Sequence, residues 1–451
     1  MKPRSESRVC WPIVWLWIFS IAQYSYRYIL QINDSRTSHL YRSTPGALSA
    51  IKYEIFVLFV FYALFCFLRR PVRLTQRYKT PMQITCAGLV VLAAVLLVRT
   101  AVSHGDMEET LLCALQLIPW MTSVLFVPMV VQPEHSATKT LMIFERMSFW
   151  MLFPFWLMTA ILAALGIRYP ALSYPGLLVR CGGIIDDPNG YACLCLLLLV
   201  LSAAHRTGAW RSRVVVYTVM LIGTVSFSGY ATAVVMFLCW LLLRLARPGI
   251  RHGLRIARVG VLCVMALSMV PLLSTMYNIN DAAEDIASLY SAKSRSATSH
   301  LSDLRPNESM LENSSLVDLL CGTGGFSENL YWRVLANFGL AGLMTVTVLA
   351  LFWSYYALWR IKRWSHSIGL WAAGFLVGSN GIAYLLTFPL SLIFWSALGL
   401  LLCTEMRDDE DARTASANIF RTPYAPIQWR RASLNSAVPI AAKSSSHGFV
   451  E

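Results

Sequence analysis

The chain has 451 residues, of which 56% are hydrophobic and only 14% charged, where a soluble globular chain carries roughly 25% charged residues. Two or three soluble domains, which the length alone would allow, are therefore excluded in favour of a polytopic membrane protein. The net charge of +14 does not point to nucleic acid, because Lys and Arg sit mostly between apolar runs, where they set membrane orientation.

A helix needs about 20 residues to cross the hydrocarbon core. The first candidate span, near 11–29, is rich in Trp and lacks a small-residue cleavage site, so it reads as a span and not as a cleavable signal. Further spans are predicted near 51–68, 82–99, 111–131, 148–167 and 189–204. The apolar stretch Val214–Leu243 would make about 45 Å of straight helix, too long for one span and short for two. Basic loops flank it on both sides, Arg206, Arg211 and Arg213 before it and Arg244, Arg247, Arg251, Arg255 and Arg258 after it. By the positive-inside rule it must cross an even number of times, so two short helices turning around Ser226-Phe227-Ser228-Gly229 are expected. Spans near 259–275, 331–358, 368–386 and 388–403 complete the count.

The expected fold is therefore all-α and integral to the membrane, with about 12 spans in residues 1–403 and both termini cytoplasmic. One long connection breaks the pattern of short loops. It covers about 276–330 on the predicted outer face, and is too long for a simple turn. Its apolar residues, as in Leu316-Val317-Asp318-Leu319-Leu320, suit partial order, some helix and docking on the membrane domain. The tail 404–451 begins acidic and becomes Ser/Ala-rich, for which disorder is the default. The 11 Cys show no metal-ligand spacing. Cys193 and Cys195 read as packing residues, and Cys181 and Cys321, both predicted outside, read as packing independently more readily than as a disulfide.

Polar groups beside the membrane that topology does not require are the candidates for chemistry. Three clusters qualify. The first is Arg180-Cys181-Gly182-Gly183-Ile184-Ile185-Asp186-Asp187-Pro188-Asn189-Gly190. Asp187 or Asn189 can cap the following helix, and Arg180, which has no capping role, suits a phosphate or sugar. The second is the Ser226–Gly229 turn, read first as a hairpin turn. The third runs from Arg295 through His300, Arg305 and Glu308 to Gly322-Thr323-Gly324-Gly325-Phe326-Ser327-Glu328-Asn329-Leu330-Tyr331-Trp332-Arg333. A glycine run before a helix can present N–H groups to an anion, although the spacing matches neither a Walker loop nor a dinucleotide fingerprint.

Taken in order, these stretches resemble the O-antigen ligase and polymerase superfamily. The resemblance rests on Arg180-x-Gly182…Asp187-Pro188-Asn189, external Arg295, the Gly-rich turn into Glu328-Asn329-Leu330-Tyr331…Gly339-Leu340-Ala341-Gly342-Leu343, and Phe388-Pro389-Leu390…Phe394-Trp395…Leu398-Gly399-Leu400. It covers roughly residues 175–403. The resemblance implies glycan transfer from a polyprenyl-pyrophosphate donor at the outer face of a bacterial inner membrane, with the large loop periplasmic. It also implies that Arg180 and Arg295 bind the donor pyrophosphate. Ligases of the family that attach glycan to lipid A core carry a His immediately before the Asn-x-Tyr pattern. Glu328 stands there instead, which favours a repeat-unit polymerase over a ligase. Gly229 stands where many relatives have Arg.

Guanidinium groups stay charged and grip phosphate oxygens bidentately, so arginines can stabilise a pyrophosphate leaving group without a metal. Glu328 is the carboxylate chosen to deprotonate the acceptor hydroxyl. Arg305, Asn329, Tyr331, Asp187, Asn189, His300 and Glu308 are secondary candidates. No cofactor or metal is expected, metal use by Asp186-Asp187 being the rival chemistry. The expected partners are lipid-linked oligosaccharide donor and acceptor, membrane lipid, and a chain-length regulator and flippase. A 12-span transporter or flippase of lipid-linked oligosaccharide is the alternative from a different class, although no convincing repeat is present.

Overall fold

The computed structural model describes residues 8–23, 25, 46–69, 76–102, 107–132, 134–165, 172–173, 180–181, 183–185, 187–206, 208–245, 260, 315–325, 327, 329–359, 365–380 and 382–401. All fall within the compact unit Met1–Arg407. Apart from residue 260, the predicted span near 259–275 lies outside the described residues, as do the tail and most of the large loop.

The described chain is mainly helical, with one short antiparallel pairing and an isolated parallel bridge between Arg8 and His135. Helices α1 (Trp11–Ala22), α2 (Gly46–Arg69), α3 (Gln76–Val102), α4 (Met107–Val130) and α5 (Ala137–Ala164) come first. Leu172–Ser173 then pairs with Arg180–Cys181, and a 3-10 turn at Gly183–Ile185 leads into α6 (Pro188–His205), α7 (Trp210–Gly223) and α8 (Phe227–Leu245). The remaining elements are α9 (Leu316–Cys321), α10 (Leu330–Trp359), α11 (Ser365–Gly378), a 3-10 turn at Tyr384–Leu386 and α12 (Leu390–Leu401). Every helix except α9 overlaps a predicted span, and α9 falls in the stretch of the large loop where the sequence suits some helix.

Five segments, in α2, α3, α4, α5 and α10, are long and apolar enough to cross a membrane, and α1, α6, α8, α11 and α12 carry shorter apolar stretches. Outward-facing side chains are apolar too. On α2, Phe56, Phe59 and Ala63 are buried while Leu58, Phe61 and Leu68 are exposed. A helix in water would put polar residues on that outer face, whereas hydrocarbon accepts leucine and phenylalanine there.

Helix ends differ from the sequence reading where a partner was invisible. The connection between α7 and α8 is Thr224–Ser226, slightly before the expected turn, and Val225 adopts φ 46° there. Arg211 and Arg213, read as loop residues, belong to the first turn of α7. Arg213 is drawn into the fold by Glu145 of α5, its Nε donating at 2.8 Å to a carboxylate that also accepts from Tyr217 Oη at 3.2 Å. The two helices also separate after their turn, because α7 packs on α6 whereas α8 packs on α11 and α6.

Close packing depends on small residues. Gly374 and Gly378, one turn apart on α11, receive α8. A Cβ at Gly374 would stand 2.4 Å from Met236 Cγ, and one at Gly378 would stand 2.2 Å from Thr232 Oγ1. Such spacing lets two backbones approach in a membrane, where no hydrophobic force drives helices together. The amino-terminal segment docks differently: Arg8 N–H donates to Glu134 O, Ser136 N–H donates to Arg8 O, both at 2.7 Å, and Cys10 N–H donates to Thr140 Oγ1 at 3.0 Å. Trp17 Nε1 joins α1 to Ser396 of α12 at 2.6 Å.

Candidate functional site

Two of the sequence clusters meet at the start of α6. Asp187 is the cap of that helix. One carboxylate oxygen accepts Asn189 N–H and the other Gly190 N–H, each at 3.0 Å. Capping is thus what Asp187 does, and both oxygens are engaged in it. Asn189 acts differently. Its side-chain oxygen accepts the Ser226 hydroxyl at 2.6 Å, and Ser226 lies 3.2 Å from Ser228. The Ser228 hydroxyl in turn lies 3.1 Å from Tyr384 Oη, beyond the end of α11. Asn189, Ser226, Ser228 and Tyr384 therefore form one amide and hydroxyl cluster where three connections converge.

Arg180 reaches this region through its backbone, paired with Ser173 in the short antiparallel ladder. The chain from Arg180 to α6 is pinned at Gly183, which has φ +54° and lies so close to Tyr191 that a Cβ would stand 2.4 Å from its ring. Only glycine combines that backbone angle with that approach. Cys181 and Cys321 are both free thiols, and burial raises the pKa of Cys181 above the ordinary thiol value.

The described part of the third cluster builds structure. Asn329 is the cap of α10: its side-chain oxygen accepts Tyr331 N–H at 2.9 Å and Trp332 N–H at 3.1 Å. Its amide nitrogen donates to Asn380 O at 2.8 Å, and Leu330 N–H donates to Ser379 O at 3.0 Å. Tyr331 is buried and its hydroxyl donates to Leu376 O. Both residues therefore tie α10 to the end of α11. With Asn329 as the cap, the first turn of α10 carries no acidic residue. Glu328, Arg295, His300, Arg305 and Glu308 themselves lie outside the described residues.

The N–H groups of Thr323 and Gly324 in the glycine run are bound by the protein itself. Helix α10 is interrupted at Gly339 (φ 61°, ψ −166°), and the carbonyl of Ala336 accepts Thr323 N–H at 2.9 Å and Gly324 N–H at 2.8 Å. Gly325 O accepts from Asn337 Nδ2 at 2.7 Å, Asn337 Oδ1 accepts the Thr110 hydroxyl at 3.2 Å, and Arg99 donates to Gly322 O. Residues 322–325 thus form a strap clasped onto α10. A Cβ at Gly322 would stand 2.4 Å from Ala336 O, and one at Gly339 would stand 2.3 Å from Leu320 O. The anion-loop expectation for the described part of this run fails, since Thr323 and Gly324 spend their donors on the protein.

A charge pair missed by the sequence reading lies beside the strap. Arg333 donates to Glu109 at 2.6 Å, with both side chains largely buried. The signal was available, because a glutamate opening α4 and an arginine one turn into α10 are charges at the margins of apolar segments. What remained hidden was their adjacency.

Comparison with protein-family models, with curated proteins and with solved structures gives no match.

Proposed function

We propose that this protein joins polyprenyl-pyrophosphate-linked oligosaccharide repeat units into a surface polysaccharide or exopolysaccharide. In this reading the chain crosses a bacterial inner membrane 12 times with both termini cytoplasmic, and the large loop and the site lie on the outer side. Arg180 and Arg295 hold the donor pyrophosphate, whose negative charge grows as the glycosidic bond breaks. Glu328 takes the proton of the acceptor hydroxyl, which attacks the anomeric carbon and inverts it.

The observation that carries the reading is the convergence of stretches far apart in sequence. Residues 187–189 and 226–228 meet Tyr384, which follows α11, while 329–331 bind the carbonyls of Leu376, Ser379 and Asn380 at the end of α11. Amides and hydroxyls of the Asn189–Tyr384 cluster are groups that hydrogen-bond sugars. Two of the motifs that carry the family resemblance, Asp187-Pro188-Asn189 and Asn329-Leu330-Tyr331, have residues in these contacts, beside the serine turn, where Gly229 departs from the family.

The test is purified protein in phospholipid nanodiscs with a defined lipid-linked repeat unit. A ladder of lengthening glycan is expected. Transfer only to a lipid A core acceptor would make the protein a ligase. Movement of the intact lipid-linked unit across a bilayer without new glycosidic bonds would make it a transporter.

A further inference from the structure

Helix α9 is built the wrong way round for water. Leu316 is 72% exposed, Val317, Leu319 and Leu320 are also exposed, and none of the six residues is buried. Asp318, the one charged residue, is the less exposed side chain of Leu316–Leu320. A short helix facing water would show the opposite arrangement, with the acid outward and the leucines tucked against the protein.

Apolar side-chain burial does not hold α9 in place. Its backbone does. Ser315 and Asp318 form a reciprocal capping box, with the Ser315 hydroxyl oxygen accepting Asp318 N–H at 3.2 Å and Asp318 accepting Ser315 N–H at 3.1 Å. At the other end Gly322 N–H donates to Asp318 O at 2.7 Å, and the strap then clasps Ala336. These bonds satisfy part of the polar backbone at both ends, the condition for seating a short helix out of water.

The surroundings identify the solvent. α9 packs on α3 and α10, both of which contain a segment of membrane-spanning length and apolarity. Those helices expose Leu97, Val98 and Val102 on α3 and Leu340 and Met344 on α10. The contact at Ala336–Gly339 also lies roughly 9–14 Å along α10 from its first residue, below the level at which that helix begins. The exposed leucines of α9 are thus continuous with a lipid-facing belt.

We propose that α9 is an in-plane membrane helix whose Leu316, Val317, Leu319 and Leu320 are covered by the acyl chains of the bilayer. It anchors the large loop at the membrane boundary, and the strap transmits that anchorage to the interruption in α10. The proposal stands apart from the glycan chemistry and holds whichever reaction the protein catalyses.

Photo-crosslinking in full-length protein in phospholipid nanodiscs tests it. The variants Leu316→photo-leucine and Leu320→photo-leucine keep size and apolarity, so folding is preserved. Leu58, exposed on α2, serves as the lipid-facing control and Leu117, buried on α4, as the interior control. Mass spectrometry after illumination should show phospholipid adducts at 316 and 320 comparable with those at 58 and absent at 117. Insertion of water at 316 and 320 would overturn the proposal by showing an aqueous surface. Adducts to peptide, from this chain or a second copy, would overturn it equally by showing that protein covers the helix.

Discussion

Gly378→Ala tests whether the α8–α11 contact sets the position of the Ser228 cluster. The new methyl would stand 2.2 Å from Thr232 Oγ1 and 2.9 Å from a Tyr384 ring carbon. Ordinary contact begins near 3.4 Å, so a shift of about 1 Å is required. Neither neighbour can give easily. Thr232 is buried and β-branched, with its hydroxyl donating to Ser228 O at 2.7 Å. Tyr384 is buried with its hydroxyl against Ser228. Overpacking of this kind costs about 1–3 kcal/mol, and alanine's helix preference returns at most about 1 kcal/mol. The expected net loss is therefore about 1–2 kcal/mol. Gly374→Ala is the comparison. Its methyl meets Met236 Cγ at 2.4 Å and Thr232 Cγ2 at 3.0 Å; an unbranched methionine can rotate away and the threonine contact is looser than at Gly378, so the loss should be smaller than for Gly378→Ala. Thr232→Ala in the Gly378→Ala background removes the clashing oxygen and should recover most of the loss, a coupling that a double-mutant cycle measures. Thermal unfolding in nanodiscs, followed by the monodisperse fraction on size exclusion, reads the wild type, the three single variants Gly378→Ala, Thr232→Ala and Gly374→Ala, and the double variant. Wild-type stability for Gly378→Ala, or no recovery by Thr232→Ala, would refute the packing argument.

Four further outcomes are expected. Removing one partner of the buried Glu109–Arg333 pair, by Glu109→Gln or Arg333→Met, should destabilise the protein by about 3–5 kcal/mol, while the double variant loses less than either single one; equal losses throughout would show that the pair is not coupled. Arg180→Ala and Arg295→Ala should each lower polymer formation about ten- to a hundred-fold at unchanged protein abundance, and Lys at either position should rescue poorly; undiminished polymer removes that arginine from the site. His135 has its pKa lowered from 6.5, chiefly by burial, and its Nδ1 accepts Gln132 N–H at 3.0 Å; the neutral form is favoured on folding, so its contribution is complete above pH 6.5 and lost as pH falls through the lower folded value. Hydrogen-exchange protection at Arg8 and Ser136, taken relative to the intrinsic rate at each pH, should fall on acidification and should lose that dependence in His135→Asn. Glu328→Gln should retain donor binding and lose about 10²–10⁴-fold in turnover, since an amide cannot take the acceptor proton; a wild-type rate with bound donor would move the base elsewhere.

The helical pattern was legible because twenty-residue apolar runs and basic loops are local signals. The length of Val214–Leu243 between two basic stretches suits two helices, and α7 and α8 lie there on either side of Thr224–Ser226. Composition also marked the polar stretches that converge on the α11–α12 connection. Helix ends were less legible, because they depend on partners. Arg213 reads as a loop cation until Glu145, 68 positions away, draws it into α7. The same blindness made Asn329 and Tyr331 look chemical, although their polar atoms serve the start of α10 and its docking on α11.

The glycine run shows why a motif is ambiguous before its surroundings are known. Glycines before a helix permit two uses of the freed backbone: N–H groups can face an anion, or the backbone can come close to another element. The choice here turns on Gly339, whose break in α10 coincides with a carbonyl that accepts two N–H groups from the strap. That glycine lies 17 residues beyond Gly322, within a segment that reads only as a span. A Cβ at either glycine would collide with the backbone on the opposite side, so the two are one device: the break admits the strap, and the strap's donors occupy the carbonyl at the break. Charge follows the same logic. Arg99, Arg213 and Arg333 each bind a carbonyl or carboxylate of the protein itself. A count of arginines near a membrane surface therefore overstates the cations offered to an anionic donor, and the variants at Arg180 and Arg295 discriminate where composition cannot.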